Sequence, residues 1–293
     1  MPKAGASADP PPIEGAVHRF ADAGGLRVHY AEAGEGEPVL LLHGWPQHHY
    51  LWRGIIDRLR DRYRLIAPDL RGSGWTEAPG HGYDCETFAD DQLALLDALG
   101  IEQVNVIGHD WGAWTTWLLA LGHPDRIRSA ITCNVPHPWP RPNLAAVADQ
   151  TWRAWYAAIN ATPLLGPLAM RMAAQASHFL RHGNAGTPFT DEEIELYAAQ
   201  FRDPERARAA SSLYRYYFRV FVAGAFRQPS ERLTVPMRLL FGVRDPAIST
   251  RLIDDGWRRH ADEMEVELVE DSGHFIVNEK PSLVAQRAIE QFG

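Results

Sequence analysis

Two short apolar segments that lead into glycine-containing turns constrain the fold of this 293-residue chain most strongly. They read PVLLLHG at residues 38–44 and VNVIGHD at residues 104–110, and weaker versions occur at 63–69 and 127–133. Nearly continuous apolar runs of this length are typical of strands buried on both faces, as in a parallel sheet. Helical stretches such as residues 85–100 separate them, so the sequence predicts an α/β fold with a doubly wound, mostly parallel sheet.

The strand pattern stops in the middle of the chain and resumes with MRLLFG at 237–242 and MEVELVE at 264–270. Glutamates alternate with apolar residues in the second of these, as on an edge strand with one exposed side. The intervening sequence is helical in character. We therefore predict a flexible arm at residues 1–13, a sheet core at residues 14–135 and 229–293, and a helical cap at residues 136–228.

The beginning of the predicted core has a different pattern. Leu26, Val28 and Tyr30 alternate with polar residues, which predicts a half-buried strand. Apolar and polar residues at 17–20 precede it across the turn sequence ADAGG, so we expect an antiparallel hairpin. At the other end of the chain, Pro281 begins a segment that reads as a closing helix.

Charge and composition restrict the partners of the protein. The net charge is −8 and there is no basic block, which argues against nucleic acid or an anionic membrane as the main partner. The two cysteines, Cys85 and Cys133, form no disulfide framework and suit a reducing compartment. The first residues lack the apolar centre of a signal peptide. We expect a cytoplasmic protein that acts on a small molecule, and a homodimer is left open.

The histidines give no sign of a metal site in the sequence. There are 13 of them, but they form no ligand-spaced cluster with cysteine. His48 and His49 are adjacent, so they would point in different directions on a helix. We expect no metal ion and no cofactor.

The segment IGHDWG at 107–112 resembles the turn on which many enzymes expose a nucleophile. Asp110 follows an apolar strand, precedes a helical run, and is flanked by Gly108 and Gly112, as a sharp turn with small neighbours requires. The alternative is that Asp110 only caps the helix, which is a common position for aspartate. This segment alone leaves both interpretations open.

Two further residues favour the nucleophile. Asp245 follows the predicted strand at 237–242, where an acid can orient a histidine, and His274 lies in a loop after the last predicted strand. The order nucleophile, acid, histidine is that of the α/β-hydrolase fold. Each residue also has a structural interpretation, with Asp245 as a turn residue before Pro246 and His274 as a surface histidine.

The sequence resembles the epoxide hydrolase family of the α/β-hydrolase superfamily over nearly its whole length after the arm. The motifs that carry the resemblance are HGWP at 43–46, DLRGSG at 69–74, GHDWG at 108–112, Asp245, and the GH pair at 273–274. The resemblance implies an α/β-hydrolase fold, with a mostly parallel eight-stranded sheet flanked by helices and an inserted helical lid. It also implies hydrolysis of an epoxide to a vicinal diol, with water as the second substrate.

An aspartate suits this reaction better than a serine. A serine that attacked a saturated carbon would become an ether, whereas a carboxylate becomes an ester that water can cleave. In this hypothesis Asp110 attacks an epoxide carbon, and His274, oriented by Asp245, then activates the water that hydrolyses the ester. The abundant tryptophans, 10 in number, suggest an apolar substrate.

The resemblance also implies residues that support these steps. The backbone N–H groups of Trp45 and Trp111 would form the oxyanion hole, and a cis peptide bond would join Trp45 to Pro46. Trp45, Pro46, Trp111 and His137 would line the substrate pocket, although no chemical role follows for His137.

Two tyrosines of the predicted cap would donate a proton to the epoxide oxygen. The resemblance implies Tyr156, seven residues before Pro163, and Tyr214, which precedes Arg215. Two alternatives remain open. Tyr156 also belongs to a helical stripe with Trp152, Trp155 and Ile159 that is typical of a buried core, and either Tyr216 or Tyr217 could replace Tyr214 in the cleft.

Other functions fit parts of this pattern. A haloalkane dehalogenase, the main alternative, would use the same Asp110, Asp245 and His274, but its second halide donor is often an asparagine where this chain has Trp45. A fluoroacetate dehalogenase would need arginines beside the nucleophile, where this chain has Trp111 and Trp114. An esterase is disfavoured by the aspartate itself. A non-catalytic binding protein on the same fold would not need all three residues.

Overall fold

The computed structural model describes residues 9–141, 143–153, 155–186, 189–222 and 229–293. Eight strands of the described residues form one sheet. In chain order they are β1 (Ala16–Ala23), β2 (Leu26–Ala33), β3 (Glu37–Leu42), β4 (Tyr63–Pro68), β5 (Val104–His109), β6 (Ile127–Cys133), β7 (Met237–Gly242) and β8 (Met264–Val269). Each apolar run that the sequence assigned to a strand is a strand.

The order of strands across the sheet is β1-β2-β4-β3-β5-β6-β7-β8. β1 pairs with β2 and β2 with β4 in antiparallel fashion, and all the other neighbours are parallel. The predicted hairpin is therefore confirmed, and β8 is an edge strand as expected. Because the central strands are parallel, the loops after β3, β4, β5, β6 and β7 leave the sheet at the same edge.

The central strands are apolar on both faces because helices cover both sides of the sheet. Leu40 and Leu42 of β3 belong to one buried cluster, while Val39 and Leu41 belong to a second cluster on the opposite face. Successive side chains of a strand point to opposite faces, so a strand between two layers must be apolar at every position.

The helices flank the sheet or lie between β6 and β7. In chain order they are α1 (Arg53–Leu59), α2 (Cys85–Ala98), α3 (Trp111–Gly122), α4 (Leu144–Arg153), α5 (Trp155–Asn160), α6 (Leu165–Arg171), α7 (Ala174–His182), α8 (Asp191–Ala198), α9 (Pro204–Val222), α10 (Ile276–Glu279) and α11 (Pro281–Phe292). Short 3-10 helices occupy His49–Trp52, Ala199–Arg202, Thr250–Leu252 and Gly256–Arg259. The expected closing helix does begin at Pro281. Within the described ranges, no helix combines the length and the apolar character that crossing a bilayer requires.

Helices α4 to α9 follow β6 and precede β7, within the predicted cap at 136–228. We call them the helical insert. The division of the chain into arm, core and cap at residues 13, 135 and 228 stays a prediction. Residues 1–8 of the predicted arm and residues 223–228 of the predicted cap lie outside the described residues. Ile13, at the end of the predicted arm, is buried in the second core cluster.

The aromatic stripe of the insert does not form a core. Trp152 is 79% exposed, Trp155 is 62% exposed, and Ile159 is exposed as well. Only Tyr156 of this set turns inward, where it packs with Tyr214. The core interpretation of the stripe is therefore wrong, because the face that the insert buries is centred on Tyr156 and not on the tryptophans.

Candidate active site

Asp110 lies on a sharp turn between β5 and α3 with φ 52° and ψ −120°, a conformation that non-glycine residues rarely adopt. Its side chain makes no capping hydrogen bond to the helix, so the capping interpretation is wrong. Glycine is required beside it: a Cβ at Gly108 would lie 2.5 Å from the Gly112 oxygen, and one at Gly112 would lie 2.0 Å from the Leu42 oxygen. The turn therefore lifts the carboxylate above the sheet edge.

The two backbone N–H groups predicted for the oxyanion hole both point at the Asp110 carboxylate. The Trp45 N–H donates to Oδ1 over 2.8 Å, and the Trp111 N–H also hydrogen-bonds to the carboxylate. The predicted cis peptide bond between Trp45 and Pro46 is confirmed. One oxygen of Asp110 is thus held by backbone donors.

The other oxygen of Asp110 faces His274. The distance from Oδ2 to Nε2 of His274 is 3.5 Å, and apart from Asp110 this Nε2 has no polar partner in the described part of the chain. On the other side of the ring, the Nδ1–H donates to Oδ2 of Asp245 over 2.8 Å. His274 lies between two carboxylates that come from different loops at one edge of the sheet.

Asp245 is held by more donors than the sequence revealed. Its Oδ1 accepts hydrogen bonds from the backbone of Ala247 (2.7 Å) and Ile248 (3.0 Å), and its Oδ2 accepts one from Nδ2 of Asn134 (2.9 Å) in addition to the one from His274. Asn134 also donates to the carbonyl of Gly273 over 3.1 Å. Sequence reasoning missed Asn134, and its position directly after the β6 run is the signal that could have found it.

These contacts shift the ionisation of the two facing groups in opposite directions. Burial alone would lower the pKa of His274, but the charges of Asp245 and Asp110 raise it to about 10. Burial alone would raise the pKa of Asp110, but the hydrogen bond and charge of His274 hold it below its usual range. At neutral pH an ionised carboxylate therefore faces a protonated imidazole.

A cavity of about 970 Å³, including its open mouth, lies above Asp110 and His274. Its walls are mainly aromatic and come from both the sheet edge and the insert. The walls include Trp111, Trp114 and Phe179 together with Tyr156, Tyr214 and Tyr217. A cavity with these walls and one carboxylate at its base suits a small apolar guest with a single polar group.

Both tyrosines that the sequence named project into this cavity. Tyr156 of α5 and Tyr214 of α9 have ring centroids 5.9 Å apart, and their hydroxyl groups hydrogen-bond to each other. Burial is the main cause that raises the pKa values of both tyrosines well above the usual range, and nearby groups that include the Asp110 charge raise them further. Both hydroxyls therefore stay neutral. Both alternatives, Tyr216 and Tyr217, also line the cavity, and the Tyr216 hydroxyl donates to Glu86 over 2.8 Å.

Two residues that were expected to line the pocket lie elsewhere. Pro46 is not among the residues that line the cavity, and its carbonyl accepts a hydrogen bond from Gln200 over 2.9 Å. His137 is buried beside the cavity wall, where Nε2 donates to the carbonyl of Asp254 (2.9 Å) and Nδ1 accepts from the Trp139 N–H (3.3 Å). Both of its ring nitrogens are occupied, so it contributes to the loop and not to the cavity. Side chains that could hold a metal ion lie at a different place, around Asp69.

Comparison with known proteins agrees with the observed fold. The family model described as the alpha/beta hydrolase fold matches residues 37–281. The soluble epoxide hydrolase of Corynebacterium sp. (strain C12) is 30% identical over 290 residues, which cover 94% of this chain and 97% of that protein. Human epoxide hydrolase 4 is 30% identical, with 89% of this chain and 74% of that protein covered. The crystal structure of epoxide hydrolase VrEH1 from Vigna radiata superposes with a TM-score of 0.78 at 27% identity, with 95% and 98% of the two chains covered.

The fold and the matched family model define an enzyme of the α/β-hydrolase superfamily. Within that superfamily, the chain belongs to the epoxide hydrolase family.

Proposed function

We propose that the protein hydrolyses an apolar epoxide to a vicinal diol through an ester formed on Asp110. The observation that carries this proposal is the asymmetric environment of the carboxylate. Its Oδ1 accepts a hydrogen bond from the Trp45 N–H, while its Oδ2 lies 3.5 Å from Nε2 of His274 at the base of an aromatic cavity. A carboxylate in this setting can attack a guest molecule, and the resulting ester has a base beside it.

Ring opening is the first step. Oδ2 of Asp110 attacks one saturated carbon of the epoxide, and the bond between that carbon and the ring oxygen breaks. The oxygen takes a proton from the hydroxyl of Tyr156 or Tyr214, both of which are neutral donors in the cavity wall. The product is a hydroxyalkyl ester of Asp110 and a tyrosinate, which is neutralised by the proton that His274 carries.

The loss of charge on Asp110 prepares the second step. In the free enzyme, two carboxylates hold the pKa of His274 at about 10. The ester has no charge, so one of these two influences disappears and the pKa of His274 falls. His274 then becomes a neutral imidazole, which is the form that can accept a proton from water.

Ester hydrolysis completes the cycle. His274 removes a proton from water, and the hydroxide adds to the ester carbonyl carbon of Asp110. The negative charge develops on Oδ1, to which the Trp45 N–H donates, and the N–H of Trp111 also hydrogen-bonds to the Asp110 carboxyl group. Collapse of this intermediate releases the diol and restores the Asp110 carboxylate and the protonated His274, so the protons balance over the cycle.

A panel of aryl and alkyl epoxides, assayed beside bromoalkanes of similar size, tests the reaction. We expect diol from the epoxides and little bromide from the bromoalkanes. The His274→Gln variant should then accumulate the ester, which mass spectrometry would detect as the mass of one epoxide added to the peptide that contains Asp110. Bromide release without diol formation would instead make the protein a haloalkane dehalogenase.

A further inference from the structure

A second aspartate near the sheet edge is surrounded by histidines. Asp69, directly after β4, is fully buried, and its carboxylate accepts four hydrogen bonds. Oδ1 accepts from the backbone N–H of His49 (2.8 Å) and from its Nδ1 (2.9 Å). Oδ2 accepts from Nδ1 of His29 (2.7 Å) and from the backbone N–H of Trp75 (2.8 Å). These four hydrogen bonds occupy the acceptor sites of the carboxylate, so none is left for another ligand.

These hydrogen bonds determine what the two histidine rings can do. Because Nδ1 of His29 and of His49 each donates a proton to Asp69, the Nε2 atom of each neutral ring carries a lone pair. Nε2 of His29 lies 3.1 Å from Nδ1 of His18. Nε2 of His49 is buried and has no hydrogen-bond partner among the described residues. The lone pair of this nitrogen is therefore available to an ion or a water molecule.

The three rings come close enough to share one ion. His18, His29 and His49 each offer one nitrogen, and these three nitrogens lie within 4.8 Å of one another. Tetrahedral zinc binds imidazole nitrogens at about 2.0–2.1 Å, which places two ligand atoms roughly 3.3 Å apart. Nδ1 of His18 and Nε2 of His29 are 3.1 Å apart, which is already close to that value. His18 is only partly buried on β1, so its ring can turn toward an ion without repacking a core.

We propose that His18, His29 and His49 bind a divalent ion of the zinc type, with water as the fourth ligand. Asp69 acts as the outer carboxylate that fixes the orientation and the tautomer of two of the rings, an arrangement that recurs around histidine-bound metals. On binding, His18 takes the tautomer with its proton on Nε2, and the ion replaces the hydrogen bond between His18 and His29. The ion would join β1 and β2 to the helix that begins at His49.

A second group, His48, His49 and Asp69, is also close enough to hold an ion. It is the weaker choice, because both oxygens of Asp69 already accept two hydrogen bonds each and would have to lose some of them. In the first group the nitrogens that would bind the ion are Nδ1 of His18, Nε2 of His29 and Nε2 of His49. Nε2 of His49 has no hydrogen bond to lose among the described residues.

Spacing along the sequence shows no ligand-spaced cluster of histidine with cysteine, and strand pairing explains why this group of histidines escapes it. In the hairpin of β1 and β2, His18 is opposite Ala31 and Phe20 is opposite His29. His18 and His29 are therefore diagonal neighbours on one face, although 11 residues separate them. His49 arrives from a different loop, so spacing along the chain could not reveal the group.

Metal titration of the full chain tests the site, with zinc followed by calorimetry and cobalt followed by visible absorption. The chain is first treated with a chelator and then dialysed. His178 and His182 provide the control, because they lie one turn apart on the exposed face of α7 with ring centroids 4.3 Å apart and could bind an ion weakly by themselves. The variants are His18→Phe, which keeps an aromatic ring against His29, and His182→Ala.

We expect the wild type and His182→Ala to bind one tight equivalent of metal, with a cobalt spectrum typical of tetrahedral coordination. His18→Phe should bind at least ~100-fold more weakly, since removing even an outer-sphere partner costs 10–100-fold. Loss of binding in His182→Ala, unchanged binding in His18→Phe, or no tight equivalent in the wild type would each overturn the proposal. If His18→Phe does not fold, anomalous diffraction from zinc-treated wild-type crystals decides, with a peak expected between the three rings.

Discussion

Two aspartates near the sheet edge, Asp69 and Asp110, both face histidines, and they differ in how their carboxylates are satisfied. Asp69 accepts four hydrogen bonds and is enclosed on all sides by protein. Asp110 has one oxygen held by backbone N–H groups and a second oxygen that faces a cavity and a histidine at 3.5 Å. The difference indicates that burial alone does not make a carboxylate reactive. A reactive carboxylate also needs one oxygen that is not occupied by the protein.

Charge does not distinguish the two aspartates. Burial would raise the pKa of Asp69, but His49 and His29 hold it well below its usual range, and His274 has a similar effect on Asp110. Both side chains are therefore ionised at neutral pH. The two aspartates differ in whether a guest in the cavity can reach the carboxylate. Asp69 is enclosed by protein, and it accepts hydrogen bonds from three segments of the chain, so it serves as a structural anchor.

The largest expected effect is on catalysis at Asp110. The Asp110→Ala variant has no nucleophile, so we expect diol formation to fall by on the order of 10⁴-fold or more. The thermal unfolding midpoint should change by only a few degrees, because the elbow glycines and the helix remain. Diol formation and thermal unfolding are measured on the same preparation. Turnover at the wild-type rate would disprove a role for Asp110.

The corresponding change at Asp69 should affect stability instead. In Asp69→Asn, one oxygen is replaced by an amide nitrogen that accepts no hydrogen bond, so two of the four buried donors lose their partner at a cost of about 1–3 kcal/mol each. Urea unfolding in the presence of a chelator measures the free energy of unfolding. Asp271→Asn is the control, because Asp271 is exposed and pairs with Lys280, so its loss should change the free energy of unfolding far less. Equal effects of the two variants would contradict the anchor role of Asp69.

The tyrosines test whether the cavity activates the epoxide as well as holding it. With both Tyr156→Phe and Tyr214→Phe, we expect ring opening to slow by about 10²–10⁴-fold, because the alkoxide has no proton donor. Single-turnover kinetics separate ring opening from ester hydrolysis, which should change little.

Tyr216→Phe is the matched control for this pair, since it removes a hydroxyl from the same helix as Tyr214. Its hydroxyl donates to Glu86, so ring opening should keep its rate. If the double variant slowed ester hydrolysis as much as ring opening, the tyrosines would not be the proton donors.

The smallest expected effect concerns pH and the pair of Asp110 and His274. The pKa of His274 is raised from 6.5 to about 10 in the folded protein, so its contribution to stability is fully present below pH 6.5 and is lost as the pH rises through 10. In Asp110→Asn one of the carboxylates that raise this pKa is gone. The fall in the free energy of unfolding between pH 6.5 and pH 10 should therefore be smaller in the variant by about 1–2 kcal/mol. Parallel urea titrations at the two pH values measure it, and identical falls would show that Asp110 does not stabilise the imidazolium.

Much of the fold could be predicted because its signals are local. Runs such as PVLLLHG are apolar on both faces, and this pattern was sufficient to predict buried parallel strands. The alternative in which the stripe around Trp152 is core is wrong, because helical periodicity shows which residues share a face but not whether that face meets protein or solvent. His137 followed a family pattern, yet its ring hydrogen-bonds to a loop carbonyl that no local pattern reveals.

The sequence by itself determined the order of strands and helices and the glycine-flanked turn at Asp110, because hydrophobic periodicity and steric limits on the backbone act between neighbouring residues. Only the tertiary structure decided which distant side chains meet. The contact of Asn134 with Asp245, the inward position of Tyr156, and the group of His18, His29 and His49 around Asp69 all depend on strand pairing and loop packing. These contacts join residues far apart in the chain, and the identity of each residue carries no information about the partner that the fold brings to it.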